Sequence, residues 1–450
     1  MPATRRHFLE SATLAGFTGS LLAQTSAAPP VRSKNDAIQL ALIGAGGQGM
    51  DDTRFALKVP GVKLVAAADI YQGRLTRSKE LWGNDLFVTR DYREVLARAD
   101  VDAVIVATPD HWHDRISIAA MNAGKDVYCE KPMVQRVEFG GPVVEAQKNT
   151  GRVFQVGSQR VSSIIYAKAR DLYRQGALGQ LNTVEAWWDR NSAIGAWQYS
   201  IPPDASPETV DWDAFLGRAP KRPFEPIRLF RWRNYQDYGT GVAGDLFVHL
   251  FSGIHFVTGS LGPSRIFASG GLRFWKDGRD VPDVMMGVFD YPETPNHPAF
   301  NLFLRVNFVN GAGEDSGFRF SGSEGMMTIG YNGVTLAKHP RESEPGYTIG
   351  TFPEAVQEEF LKQYHAKYPV ERPSAAGMKP TGEEQYAAPR GYSDNYDHFD
   401  RFFASVRSRQ PVVEDAAFGL RAAGPALLSN VSYFERRVVE WDAEGMRVKG

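Results

Sequence analysis

The sequence predicts an α/β chain: a doubly wound parallel sheet followed by an α+β domain with an open, mostly antiparallel sheet. Three observations carry that expectation. In "AIQLALIGAGGQG" a strand-length apolar run, Ile38 to Ile43, ends in closely spaced glycines. Three further runs, in "GVKLVAAAD", "VDAVIVATPD" and "AGKDVYCEKP", are separated by helix-compatible segments such as Met50 to Lys58 and Arg115 to Ala123. That alternation belongs to a parallel sheet whose crossovers are helices. Beyond about Gly157, "LNTVEAWWDR" and "NLFLRVNFV" alternate apolar with polar residues, as strands do when one sheet face is solvated.

These changes of texture set the organisation. Residues 1–28 read as a twin-arginine export signal: Arg5 and Arg6 precede Phe8 and Leu9, a modestly apolar run reaches about Ala23, and small residues gather at Ala27 and Ala28. The run is too short and too rich in Ser, Thr and Gly to span a bilayer, so no stable membrane anchor is expected. Residues 29–36 form a linker, 37–157 the doubly wound domain and 158–450 the α+β domain. Within the last, the Gly-, Pro- and charge-rich stretch 331–392 reads as a surface insertion with one helix, Pro353 to Tyr368. Helical periodicity returns at Tyr396 to Arg407 and at Ala416 to Glu435.

Lys plus Arg number 51 against 52 Asp plus Glu, a net charge of -1. No global field attracts nucleic acid or an anionic membrane, which points to a small-molecule partner. The single cysteine, Cys129, excludes an intramolecular disulfide and is expected to be a buried small hydrophobe.

Gly44, Gly46 and Gly49 make GxGxxG between the first strand and a helix. The first glycine permits the tight turn, the second lets backbone approach a pyrophosphate, and the third lets helix pack on strand. The helix N-terminus then offers free amides to the anion. Asp69 stands twenty residues beyond Gly49 at the end of the second strand. An acidic residue there accepts hydrogen bonds from the adenosine ribose and repels a 2'-phosphate, favouring NAD over NADP. Arg74 and Arg77 keep NADP open.

With this loop, "VATPDHWH" at 106–113 and "EKP" at 130–132, the chain resembles the Gfo/Idh/MocA oxidoreductases, the family of glucose-fructose oxidoreductase and inositol dehydrogenase. The resemblance spans nearly all of the chain after the export segment. It implies a Rossmann domain paired with an open sheet that carries substrate and mediates homo-oligomerisation. The cofactor-binding set it implies is Gly44, Gly46, Gln48, Gly49, Asp69, Thr108, Pro109, His113, Glu130 and Lys131. Lys131 takes the role of the family lysine that reaches the reacting hydroxyl; an ammonium there stabilises developing alkoxide charge. Glu130 would position the nicotinamide ribose and Pro132 fix the turn. His111 and His113, at i and i+2 on a strand, would point opposite ways, so no metal site is expected.

In "GTGVAGDLFVHLFSG", Asp245 and His249 are four residues apart and share a face if the segment is helical. The resemblance makes His249 the general base and places Asp245 near the substrate. Phe247 and Ser252 depart from the family pattern, which has glycine and aspartate at those positions. Upstream, "RLFRWRNYQDYGTG" concentrates Trp232, Arg233 and Tyr238; aromatic faces and forked donors suit a pyranose, with core packing the rival reading. Arg160, in "GSQR", is a further substrate-binding candidate.

The expectation is therefore an exported, periplasmic oxidoreductase that uses the twin-arginine machinery and moves hydride between a sugar carbon and NAD, with NADP the alternative. Because free NAD is scarce outside the cytoplasm, the cofactor should be tightly held and recycled in place by a second substrate. The rivals are redox-assisted glycoside cleavage through a transient keto-sugar, and a non-catalytic sugar-binding module.

Overall fold

The computed structural model describes residues 37–338, 345–369 and 383–449. The predicted export signal, with Arg5 and Arg6, and the linker at 29–36 lie outside the described residues.

The first sheet contains β1 (Ile38–Ile43), β2 (Val62–Ala68), β3 (Phe87–Thr89), β4 (Ala103–Val106), β5 (Asp126–Cys129) and β6 (Phe154–Val156). All are parallel, in the order β3-β2-β1-β4-β5-β6. The order reverses between β1 and β4, which opens a crevice at their carboxyl ends. β4 and β5 are buried along their whole length, hence apolar runs without alternation. Cys129 is a buried free thiol in this core. β3 escapes the sequence reading because three residues show no period.

The crossover helices are α1 (Gly47–Ala56), α2 (Gln72–Trp82), α3 (Tyr92–Ala97), α4 (His113–Asn122) and α5 (Gly140–Thr150). α1 and α4 start nearer their strands than expected. The glycine loop feeds straight into α1, and a 3-10 turn over Asp110–Trp112 feeds α4. His111 and His113 therefore belong to a turn and a helix start, not to a strand.

Helix α6 (Ile164–Arg174) leads into the second sheet. Its strands are β7 (Leu181–Asp189), β8 (Arg265–Gly271), β9 (Val284–Tyr291), β10 (Phe300–Asn307), β11 (Asp315–Gly322), β12 (Gly325–Ile329), β13 (Gly333–Lys338), β14 (Glu383–Ala387), β15 (Val439–Asp442) and β16 (Arg447–Val448). The order is β14-β13-β12-β11-β7-β10-β9-β8-β15-β16, antiparallel throughout except where β7 meets β10. β10 alternates buried and exposed residues, and the open face presents Phe267, Met286, Val288 and Phe303. Between β7 and β8 the chain forms α7 (Trp212–Leu216), α8 (Pro226–Phe230) and α9 (Val248–Thr258). α9 is buried on almost every side and lies in the core.

The 331–392 stretch is not simply a surface insertion. It opens and closes as sheet strands, β13 and β14, with α10 (Glu354–Lys367) between them. Val334 and Leu336 bury against the core; six residues of strand were hidden by the surrounding Gly, Pro and charge.

The division at residue 158 also needs amendment. Helix α11 (Asp394–Ser408) is late in the chain, yet its Phe399, Phe402, Phe403 and Val406 pack with Leu40, Leu42, Ile105 and Tyr128 of the first sheet. The i, i+3, i+4, i+7 stripe is ordinary amphipathic helix; which sheet it covers is a tertiary fact. Each fully buried phenylalanine contributes about 2–3 kcal/mol, so the first sheet depends on chain from the far end. Helix α12 (Ala416–Glu435) then returns against α5, α9 and β8.

Candidate active site

A cleft of about 630 Å3 opens at the carboxyl ends of β1, β2 and β4. Its floor is the glycine loop. Gly44 has φ +96°, and a Cβ there would stand 2.6 Å from the Ala107 carbonyl carbon; a Cβ on Gly49 would stand 2.1 Å from the Gly44 oxygen. Neither position tolerates a side chain. Among the described residues, a Cβ on Gly47 would meet nothing within 4 Å and one on Gly46 only the Arg74 guanidinium, at 3.6 Å, so this backbone is open to a ligand. α1 has Gly46 as its N-cap, no side-chain cap and no acidic residue in its first turn. Its amides and partial positive charge are left for an anion. A dinucleotide pyrophosphate fits these residues.

At the adenosine end, Asp69 Oδ1 accepts from the Tyr71 amide at 2.9 Å, and Arg74 Nη1 lies 3.5 Å from Asp69 Oδ2. Arg77 instead pairs with Glu80 on the surface. Chain from the second domain walls the cleft with Tyr199, Asp211, Phe215, Phe230 and Trp232. It is tied down by Gln72 N donating to Thr209 O, by Asp211 N donating to Ile70 O, both at 2.9 Å, and by the Tyr71 hydroxyl on Asp204.

The inner end is built from side chains. Lys131, just after β5, donates to Asp245 Oδ1 at 2.8 Å and to the Asp245 carbonyl at 3.1 Å. Arg233 Nε donates to the same Oδ1 at 3.2 Å and also lines the cleft, which joins the two regions. Asp245 sits in a π-helical turn, Ala243–Phe247, ahead of α9; such turns recur at functional sites. Burial alone would raise Asp245, but Lys131, Arg233 and Arg190 outweigh it and hold the carboxyl well below the usual carboxylate range. His249, one turn on, lies against Trp188 with ring centroids 5.0 Å apart, its Nδ1 buried with no partner among the described residues. Burial, reinforced by the Lys131 charge, pushes His249 well below its usual range and keeps it neutral.

Asp110 completes the cluster. Thr240 Oγ1 donates to its Oδ2 at 2.7 Å, and burial raises the carboxyl to about 7 although Arg233 opposes the shift.

Residues 38–158 match the NAD-binding Rossmann fold of an oxidoreductase family, and residues 188–266 match that family's C-terminal alpha/beta domain. Both stretches match Gfo/Idh/MocA oxidoreductases. Inositol 2-dehydrogenase of Salmonella paratyphi B is 32% identical over 145 residues, 32% of this chain and 43% of that protein. A glycosyl hydrolase family 109 protein of Shewanella baltica is 30% identical over 172 residues, 35% of this chain and 36% of that protein. The match thus spans less than half the length of these curated relatives. Among solved structures, levoglucosan dehydrogenase in complex with NADH and levoglucosan superposes with a TM-score of 0.63 at 19% identity, covering 90% of this chain and 99% of the other. An oxidoreductase domain protein from Kribbella flavida gives 0.64 at 20% identity, covering 90% and 99%. The fold is shared at that distance.

Against the Gfo/Idh/MocA pattern, Gly44, Gly46, Gln48, Asp69, Thr108, Pro109, Trp232 and Arg233 line the cleft, and Lys131, Asp245 and His249 gather at its inner end. His113 is placed differently. Its Nδ1 and Nε2 face the carbonyls of Pro132 and Thr108, each at 2.7 Å, so it fixes the two loops from beneath and presents nothing to a cofactor. Tyr238 is corrected outright: it is fully buried against His111 and Phe215, and core packing, the rival reading, won. Arg160 is drawn away to the Gly330 and Tyr331 carbonyls and to Asp394, beside a separate cavity of about 350 Å3.

At the Ser252 departure, Ser252 and Ser158 donate to Glu414 at 3.1 and 3.2 Å. Glu414 is a buried carboxyl that burial raises to about 8. Sequence reasoning missed Asp110, although it follows Pro109 on a cleft loop.

Proposed function

We propose that this chain is an exported oxidoreductase that moves hydride between a sugar hydroxyl and a resident nicotinamide dinucleotide. The Lys131–Asp245–Arg233 cluster at the inner end of a glycine-floored cleft carries the reading. A bound nicotinamide would supply the hydride acceptor and donor. Lys131 directs an N–H to the substrate oxygen and stabilises alkoxide charge as hydride leaves carbon. Asp245 fixes Lys131 from behind, and Arg233 keeps Asp245 ionised. His249 is neutral and accepts the hydroxyl proton; its low affinity for that proton favours passing it on. Trp232 offers an aromatic face to the sugar ring.

The second-domain wall over the cleft favours a tightly held cofactor. Asp69 favours NAD, with Arg74 near enough to serve NADP. The apolar open sheet face, with Phe267 and Phe303, suits a homo-oligomer. Twin-arginine export and a periplasmic location rest on residues 1–28.

A second reading, redox-assisted glycoside cleavage, is favoured by Asp110, an acid held near 7 that simple dehydrogenation does not require. Denaturing the purified protein and identifying released nucleotide by mass spectrometry tests the first reading. Stoichiometric NAD or NADP supports it, and an empty protein that binds neither sinks it. Net reduced cofactor against glycone release, with sugars and glycosides in parallel, separates dehydrogenation from cleavage.

A further inference from the structure

One stretch of the wall that the second domain sets over the cleft is clamped from behind. Arg190 Nη1 donates to the Gly195 carbonyl at 2.8 Å, Arg279 Nη2 to the Ala196 carbonyl at 2.7 Å and Arg231 Nε to the Tyr199 carbonyl at 2.8 Å. Arg231 Nη1 also donates to Gln198 Oε1 at 2.5 Å, and the Gln198 amide donates to Asp277, which pairs with the buried Arg279. Within the clamp, Trp197 has φ 65°, a left-handed conformation that is costly for a bulky residue. Arg409 and Arg436 adopt it as the C-caps of α11 and α12, and Met446 adopts it between the paired β15 and β16. Trp197 ends no helix; its indole is buried against Phe308, with ring centroids 4.8 Å apart. A strained residue persists only where its surroundings over-determine it, and such places gather at ligand clamps.

What the clamp fixes is Tyr199. It lines the cleft beside Ser200, and its hydroxyl has no hydrogen-bond partner among the described residues. The stretch is tied to both ends of the cleft: a few residues on, Asp204 accepts from the Tyr71 hydroxyl at the adenosine end, and Arg231 leads directly into Trp232 and Arg233. A ligand running from the glycine loop to Arg233 passes along this wall, because Gly44, Gly46, Tyr199 and Arg233 line one cleft. We propose that Tyr199 is a cofactor-binding residue whose hydroxyl donates to the ribose and phosphate oxygens of the dinucleotide, and that Arg231 is a positioning residue that slows cofactor release by acting through Tyr199. The inference rests on the dinucleotide reading above and names the contact that keeps the nucleotide resident. A phenol is an O–H donor, and ribose and phosphate oxygens accept. A clamp set before binding loses little further freedom when the ligand arrives.

The test is the release rate of NADH, with NADPH in parallel, from cofactor-depleted full-length protein that has been reloaded and then chased with excess oxidised nucleotide, read by fluorescence. Tyr199→Phe should release about five- to tenfold faster, as one hydrogen bond to the ligand is lost. Tyr199→Ala should release about 30-fold faster, as the aromatic face goes too. Arg231→Met should release about fivefold faster alone and no faster when added to Tyr199→Ala, because a residue acting through the phenol then has nothing to position. Arg231→Lys, which keeps a donor for the Tyr199 carbonyl, should recover most of the wild-type rate. A merely structural arginine would add its effect in both backgrounds, and that result overturns the positioning role. Tyr199→Phe at the wild-type rate overturns the contact, and if Arg231→Met does not fold, the Tyr199 comparison decides. Wild type that binds neither nucleotide overturns the dinucleotide reading and this inference with it. Wild type that binds one of them, with every variant releasing at its rate, overturns this inference alone.

Discussion

The two ends of the cleft are made by different means. The phosphate end is backbone: glycines where a side chain would collide, and a helix terminus with its amides unspent. The reacting end is side chain: Lys131 from the first domain, Arg233 from a 3-10 turn and Asp245 from a π-helical turn, held by hydrogen bonds of 2.8 to 3.2 Å. A site made of backbone is broken by adding atoms. A site made of charges is broken by removing them, and the two failures should be separable.

The largest effect is expected from Lys131→Met. Lost stabilisation of alkoxide charge should lower kcat about 1,000-fold or more, while bound nucleotide, measured after denaturation, stays at wild-type stoichiometry. Loss of nucleotide as well would show that the two ends are one site. Gly44→Ala should do the reverse. Its Cβ would meet backbone at 2.6 Å and its φ of +96° strains an L-residue, so nucleotide content should collapse and the thermal transition should report about 1–3 kcal/mol of destabilisation. Retained nucleotide with an unchanged melt would remove the claim that the loop is sterically fixed.

Arg233→Met sharpens the boundary, because Arg233 touches both regions. Asp245 would keep Lys131 and Arg190 but lose its second hydrogen-bonded cation, and kcat should fall about 10- to 100-fold. An effect on KM alone would place Arg233 with the cleft and detach it from the charge cluster.

The same contrast explains what the sequence disclosed. The glycine loop, Asp69 and the buried strands are local signals, each determined within a few residues, and they were legible. Short motifs also singled out Lys131 and Asp245, which the fold joins by a hydrogen bond of 2.8 Å, and His249 one turn beyond. The packing of α11 on the first sheet was not, since an amphipathic stripe says that a helix is covered and not by which partner. Tyr238 was misread for a related reason: an aromatic beside a site looks the same in sequence whether it lines the cavity or supports its wall. The Ser252–Glu414 contact joins residues 162 positions apart, and no local pattern announces it.

Glu414 gives the smallest and most quantitative test. Burial lifts its carboxyl from the ordinary 4.5 to about 8, so the folded chain holds a proton that the unfolded chain releases. Stability from this group is fully present below about pH 4.5 and is lost as pH rises through about 8. His111, His255 and His398, which burial holds at about 4, 3 and 4, act with the opposite sign. Their neutral forms are favoured in the fold, so they add stability as pH rises toward 6.5. Those histidines are common to wild type and variant, so they cancel in the difference between the two. Glu414→Gln keeps the shape and accepts from Ser158 and Ser252 without titrating. Its Tm relative to wild type should therefore climb from about pH 5 to about pH 8, by about 2 °C or more. A constant difference across that range would mean that Glu414 is ionised in the fold, with Ser158 and Ser252 donating to a carboxylate.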